Sequence, residues 1–100
     1  MSPVLERFLR YVRYDTQADE GAQTYPSTEK QLVLLNLLTK ELHDLGVQSA
    51  AIDSHGYVTA TIPSNLPASH RGAGKVPAVG FIAHVDTSPS ASGEHVKPQV

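Results

Sequence analysis

The 100-residue sequence contains no cysteine. Disulfide staples and thiolate metal sites are closed to it, and the composition suits a reducing compartment, so a cytoplasmic location is expected. A basic block is also missing: eight Lys plus Arg stand against ten Asp plus Glu, a formal charge of -2. Clustered positive charge is what draws a phosphate backbone or an anionic lipid surface, so neither nucleic acid nor a membrane is an expected partner. No apolar run approaches the roughly 18 residues of a bilayer span. The opening "MSPVLERFLRYVRYD" carries Glu6, Arg7, Arg10 and Arg13 where a secretory leader would be continuously apolar. There is no "GxSxG", so Ser88, Ser90 and Ser92 do not read as nucleophiles. No dinucleotide fingerprint occurs, and "GAGK" at 72–75 precedes an apolar segment where a phosphate loop would link a strand to a helix. It reads as a linker.

What is present reads as one small globular unit, 40% apolar and 18% charged. A compact chain of this length buries only about 60 to 65% of its surface, so its core is small. Ser2 and Pro3 form an N-cap and N1 pair, and Val4, Leu5, Phe8, Leu9 and Val12 recur at helical spacing. The polar stretch "DTQADEGAQTYPST" at 15–28 reads as an irregular loop, able to order against another element. Thr28 and Gln31 have capping-box spacing, and Leu34, Leu35, Leu38, Leu42 and Leu45 make one stripe ending at Gly46, a C-prime glycine. "VQSAAID", the turn "DSHG" and "YVTATI" predict a hairpin. "PSNLPASHRGAGK" then crosses the surface as a connector. The expected class is α/β, two helices covering a small mixed sheet.

The segment "VPAVGFIAHVDTSPSASG" at 76–93 carries the chemistry. Val76, Val79, Phe81 and Ile82 make a run apolar on both alternating faces, as expected of a strand inside a sheet covered by helices. His84 and Asp86 follow at its carboxyl end, where open α/β sheets place ligand sites. Residues i and i+2 of extended chain project to one side. Asp86 can then hold one imidazole nitrogen while the other ligates a metal, the carboxylate setting tautomer and basicity. The same pattern is open to a plainer reading: a capping aspartate beside a histidine satisfied by backbone. A zinc centre also needs about three protein ligands and usually a general base. His43, His55, His70 and His95 read as surface, turn or loop residues, and none completes a site.

The stretches "LERFLRYVRYDTQ", "YPSTEKQ", "LLTKELHDLGV", "TATIPSNLP" and "GFIAHVDTSPSASGEHVKPQ" resemble the N-terminal part of the tripeptide-aminopeptidase branch of the M20 dizinc metallopeptidases. The resemblance runs through nearly all 100 residues. It implies that residues 1–100 are the first, incomplete portion of a zinc-peptidase catalytic domain with a mixed sheet and covering helices, into which a smaller domain is inserted further on. It implies two zinc ions per complete protomer, His84 as a ligand to one of them, and Asp86 as the catalytic aspartate that holds His84. Short peptides, tripeptides above all, are the implied substrates, and a homodimer is the candidate assembly. In such enzymes water attacks the scissile carbonyl and a glutamate takes its proton. Glu29, Glu41 and Glu94 read instead as solvated surface groups; the resemblance implies that the base and the other ligands lie downstream of Val100, and the chain alone is expected to be inactive. Ser90 stands where close members of the branch carry an aspartate, which removes a negative charge beside the motif. The alternatives are an N-acyl amino-acid hydrolase of the same family and a noncatalytic interaction chain. Zinc stoichiometry and amine-dependent hydrolysis separate them.

Overall fold

The computed structural model describes residues 1–100, with two helices and a two-stranded antiparallel sheet. Helix α1 spans Pro3–Tyr11. Its start is the one the sequence predicts: Ser2 has extended backbone, its Oγ accepts from the Leu5 N–H at 3.2 Å, and Pro3 occupies the first turn. Leu5 and Leu9 face inward and are half-buried, while Val4 and Phe8 are exposed.

Helix α2 spans Gln31–Asp44 and carries the core. Leu34 and Leu35 are buried, Leu38 and Leu42 half-buried, and Leu45, outside the last turn, is exposed. The leucine stripe is therefore a gradient, deepest at its amino-terminal end. Gly46 closes the helix at φ +92°, as a C-prime glycine should. The capping box does not form. Thr28 Oγ1 donates to the Gln17 carbonyl at 2.9 Å and Gln31 Nε2 donates to Ser27 Oγ at 3.2 Å, so both side chains that would close the box are committed elsewhere. Glu41 also departs from expectation. Its side chain is only 18% exposed, and its carboxylate accepts from Arg10 and Tyr11, pinning α1 to α2.

The hairpin is present but short. Strand β1 is Ala51–Ile52 and β2 is Val58–Thr59, paired Ala51 with Thr59 and Ile52 with Val58. Asp53 builds the turn: its Oδ1 accepts from the N–H groups of His55 and Tyr57, each at 2.9 Å, and Gly56 takes φ +85°. Beyond the ladder, Ser49 Oγ donates to the Thr61 carbonyl and accepts from the Thr61 N–H, so a side chain replaces the next rung. Ala50 is buried beside α2, and Ile62 is exposed. Residues 63–67 are irregular and 68–75 turn, with His70, Ala73 and Lys75 each donating a backbone N–H to the carbonyl three residues earlier.

The largest correction concerns residues 76–83. They form no strand, and Val76, Val79, Phe81 and Ile82 are exposed, Ile82 completely. The short hairpin is the only ladder, and it does not reach this segment. An apolar run can dictate burial only where another strand or helix arrives to cover it. The consequence shows in the dimensions. The accessible surface is 8101 Å², against about 5,500 Å² for a compact monomer of this mass. The radius of gyration is 17.0 Å, against about 13 Å for a typical 100-residue domain.

Candidate metal-ligand site

His84 and Asp86 follow the uncovered run. The His84 ring is 84% exposed and the Asp86 side chain 49%. His84 Nδ1 lies 3.0 Å from Asp86 Oδ1 and 2.9 Å from the Asp86 carbonyl oxygen. Both partners are acceptors, so Nδ1 carries the proton and donates to them. The neutral ring then has its lone pair on Nε2, which has no partner within the chain and is open to a ligand. The Asp86 carboxylate and the Asp86 backbone carbonyl thus share the same N–H.

Sequence reasoning did not assign the anchor of this pair. Residues 15–18, part of the loop preceding α2, run alongside 85–89. Gln17 and Thr87 form a parallel bridge, in which the Thr87 N–H donates to the Thr16 carbonyl at 3.1 Å and the Ala18 N–H donates to the Thr87 carbonyl at 3.0 Å. Gln17 Nε2 reaches the Pro89 carbonyl at 3.0 Å. Behind the bridge, Asp15 accepts from Lys30 Nζ at 2.8 Å and from the Gln17 N–H at 3.0 Å. These two bonds, the lysine first, hold the Asp15 carboxyl below the usual carboxylate range. Gly93 is buried and nothing larger fits there, since an added Cβ would overlap Asp15 Oδ1.

The pair stands at the edge of an open cleft of about 1020 Å³ between α2, the hairpin and residues 81–86. Leu35, Leu38 and Leu42 line its helical wall, Tyr57 and Val58 the hairpin wall, and Phe81 and Ile82 the facing side. Tyr11 enters from α1, its phenol held above the usual tyrosine range by burial and by donation to the negatively charged Glu41. His55 lines the same cleft, but no group of three or more His, Asp or Glu side chains comes together as a metal cage. His43 instead meets the Ala50 carbonyl through Nε2 at 2.6 Å, and His95 sits in a bend of the chain at φ +53°. Ser90 is exposed, and its backbone N–H donates to Ser88 Oγ at 3.1 Å. The residues present thus fit one zinc-ligand position and its orienting carboxylate; they do not make a closed centre. No helix is long and apolar enough to cross a membrane.

No family model matches the chain. Individual proteins do. It is 54% identical over 100 residues to peptidase T of Desulfitobacterium hafniense, 51% over 100 residues to peptidase T of Halothermothrix orenii, and 46% over 100 residues to peptidase T of Escherichia coli. Each similarity covers 100% of this chain and 23% of the relative, so the chain spans about a quarter of the length of the curated relatives it matches.

Proposed function

We propose that the chain is the N-terminal portion of the catalytic domain of a zinc-dependent M20-type aminopeptidase that removes the first residue from short peptides, tripeptides above all. The observation that carries this reading is the His84–Asp86 pair, with Nδ1 held at 3.0 Å by the carboxylate and Nε2 free. Similarity to peptidase T along the whole chain supports it. His84 would hold one of two zinc ions through Nε2, and Asp86 would keep the ring in the tautomer and direction that ligation needs. A zinc ion bound there supplies Lewis acidity toward a peptide carbonyl. The uncovered apolar run at 76–83 is the surface that later catalytic segments would cover, beyond an inserted smaller domain. The cysteine-free composition suits work in the cytoplasm.

The test uses the longer protein beside the 100-residue chain. His84→Ala should lower zinc occupancy, and Asp86→Ala should keep more zinc than His84→Ala while losing turnover through the misdirected ring. The 100-residue chain, with one ligand of the roughly three each zinc requires, should show no zinc-dependent tripeptide cleavage. Full occupancy and activity in His84→Ala, or robust turnover by the short chain, would overturn the assignment.

A further inference from the structure

Thr16 has the most deeply buried side chain in the molecule, 2% exposed, although it lies in a loop of polar residues. Burial of a hydroxyl costs free energy unless it is hydrogen-bonded, and here the bond goes to one place. Thr16 Oγ1 donates to the Val85 carbonyl at 2.6 Å, and the Thr16 carbonyl accepts from the Thr87 N–H at 3.1 Å. One residue therefore grips the chain immediately before and immediately after Asp86. Asp86 in turn offers His84 Nδ1 two acceptors, its Oδ1 at 3.0 Å and its own carbonyl at 2.9 Å. The position of the carbonyl, and the direction in which the carboxylate leaves the backbone, both follow from the backbone that Thr16 holds.

We propose that Thr16 is a positioning residue for the His84–Asp86 pair, acting through the backbone of residues 85–87 to keep the imidazole proton on Nδ1 and the Nε2 lone pair outward. The proposal deepens the zinc-ligand reading and rests on it for its consequence in catalysis, but the positioning itself needs no metal. The grip is anchored. Thr28 Oγ1 donates to the Gln17 carbonyl at 2.9 Å, and Lys30, at the head of α2, holds Asp15 at 2.8 Å. The loop thus transmits the position of the core helix to a motif that no strand supports.

The experiment reads the His84 ring nitrogens by NMR in the histidine-¹⁵N-labelled chain, at a pH high enough that the ring-nitrogen shifts no longer change with pH. The wild type should show the proton on Nδ1. Thr16→Val keeps the shape and removes the donor. It should shift the tautomer ratio toward Nε2–H about fivefold, the equivalent of one neutral hydrogen bond. Thr16→Ser restores the donor and should match the wild type. Unchanged His43 signals, from the ring held at the Ala50 carbonyl, show that the fold persists. Should the valine variant not fold, Thr16→Ala read against Thr16→Ser decides: alanine must move the ratio and serine must not. A ratio unmoved in Thr16→Val, or moved equally by serine, overturns the proposal. With no metal in the sample, that failure concerns Thr16 alone, whereas unchanged zinc occupancy in His84→Ala concerns the ligand reading alone.

Discussion

Truncating Leu35 to alanine tests whether the amino-terminal end of α2 is the core. Leu35 is 7% exposed, so nearly all of the three carbon groups lost lie out of water. At about 0.8 kcal/mol per buried carbon group the transfer loss is about 2.4 kcal/mol. A cavity usually adds to this, but Leu35 borders the open cleft, where water can enter and the wall can relax. The expected cost is therefore about 2 to 3 kcal/mol, at the lower end of the range of about 2 to 5 for Leu-to-Ala changes in cores. Leu38, half-buried, should cost about half as much, and Leu45, 63% exposed, should stay within about 0.5 kcal/mol. Urea unfolding with a common m-value gives all three, because a change in midpoint at constant slope is a change in stability. The order Leu35, Leu38, Leu45 follows burial and not position in the stripe. Equal losses at Leu35 and Leu45 would refute the gradient and return the whole stripe to the core.

Two further perturbations address the ionic contacts. The Asp15 carboxyl is held below its ordinary range by Lys30 first and the Gln17 N–H second. Its stabilising contribution is thus complete above the ordinary aspartate value, about 3.9, and is lost as pH falls through the depressed folded value. Lys30→Met should lower the thermal midpoint at neutral pH and converge with the wild type in acid; a constant offset down to the lowest pH would deny the link. The Tyr11 phenol is raised by burial first and by its bond to Glu41 second. Neutral Tyr11 stabilises the fold below about pH 10, the ordinary value, and the contribution disappears as pH rises through the raised folded value. Glu41→Gln, in a background where Tyr14, Tyr25 and Tyr57 are phenylalanine, should lower the Tyr11 midpoint in an absorbance titration. An unmoved midpoint would leave burial as the sole cause.

Local rules succeeded where the chain itself supplied every partner. The α1 cap needs only Ser2, Pro3 and the Leu5 N–H, all within one turn, and it forms as read. Gly46 ends α2, and Asp53 and Gly56 fold the hairpin, because each needs only neighbours a few residues away. The capping box failed for a non-local reason. Spacing identifies Thr28 as able to cap, but cannot report that the Gln17 carbonyl, eleven residues earlier, competes for its hydroxyl. Glu41 was misread in the same way, since the groups that hold it, Arg10 and Tyr11, arrive from another helix.

The segment at 76–87 contains both outcomes. Its apolar run was legible as chemistry but not as placement, because a strand exists only with a partner, and no ladder among these residues reaches 76–83. The His84–Asp86 contact was legible because two residues of one short stretch make it. What holds that stretch was not: Thr16 stands 69 residues from Val85, in a loop with no apolar period to mark it for burial. The lesson is about where order comes from. A functional motif lacking its expected strand can still be held in place if a distant loop, through one buried hydroxyl and its own backbone, supplies the hydrogen bonds that a neighbouring strand would have made. The motif's geometry should then respond more to changes at Thr16 than to changes in the exposed run at 79–82 that precedes it.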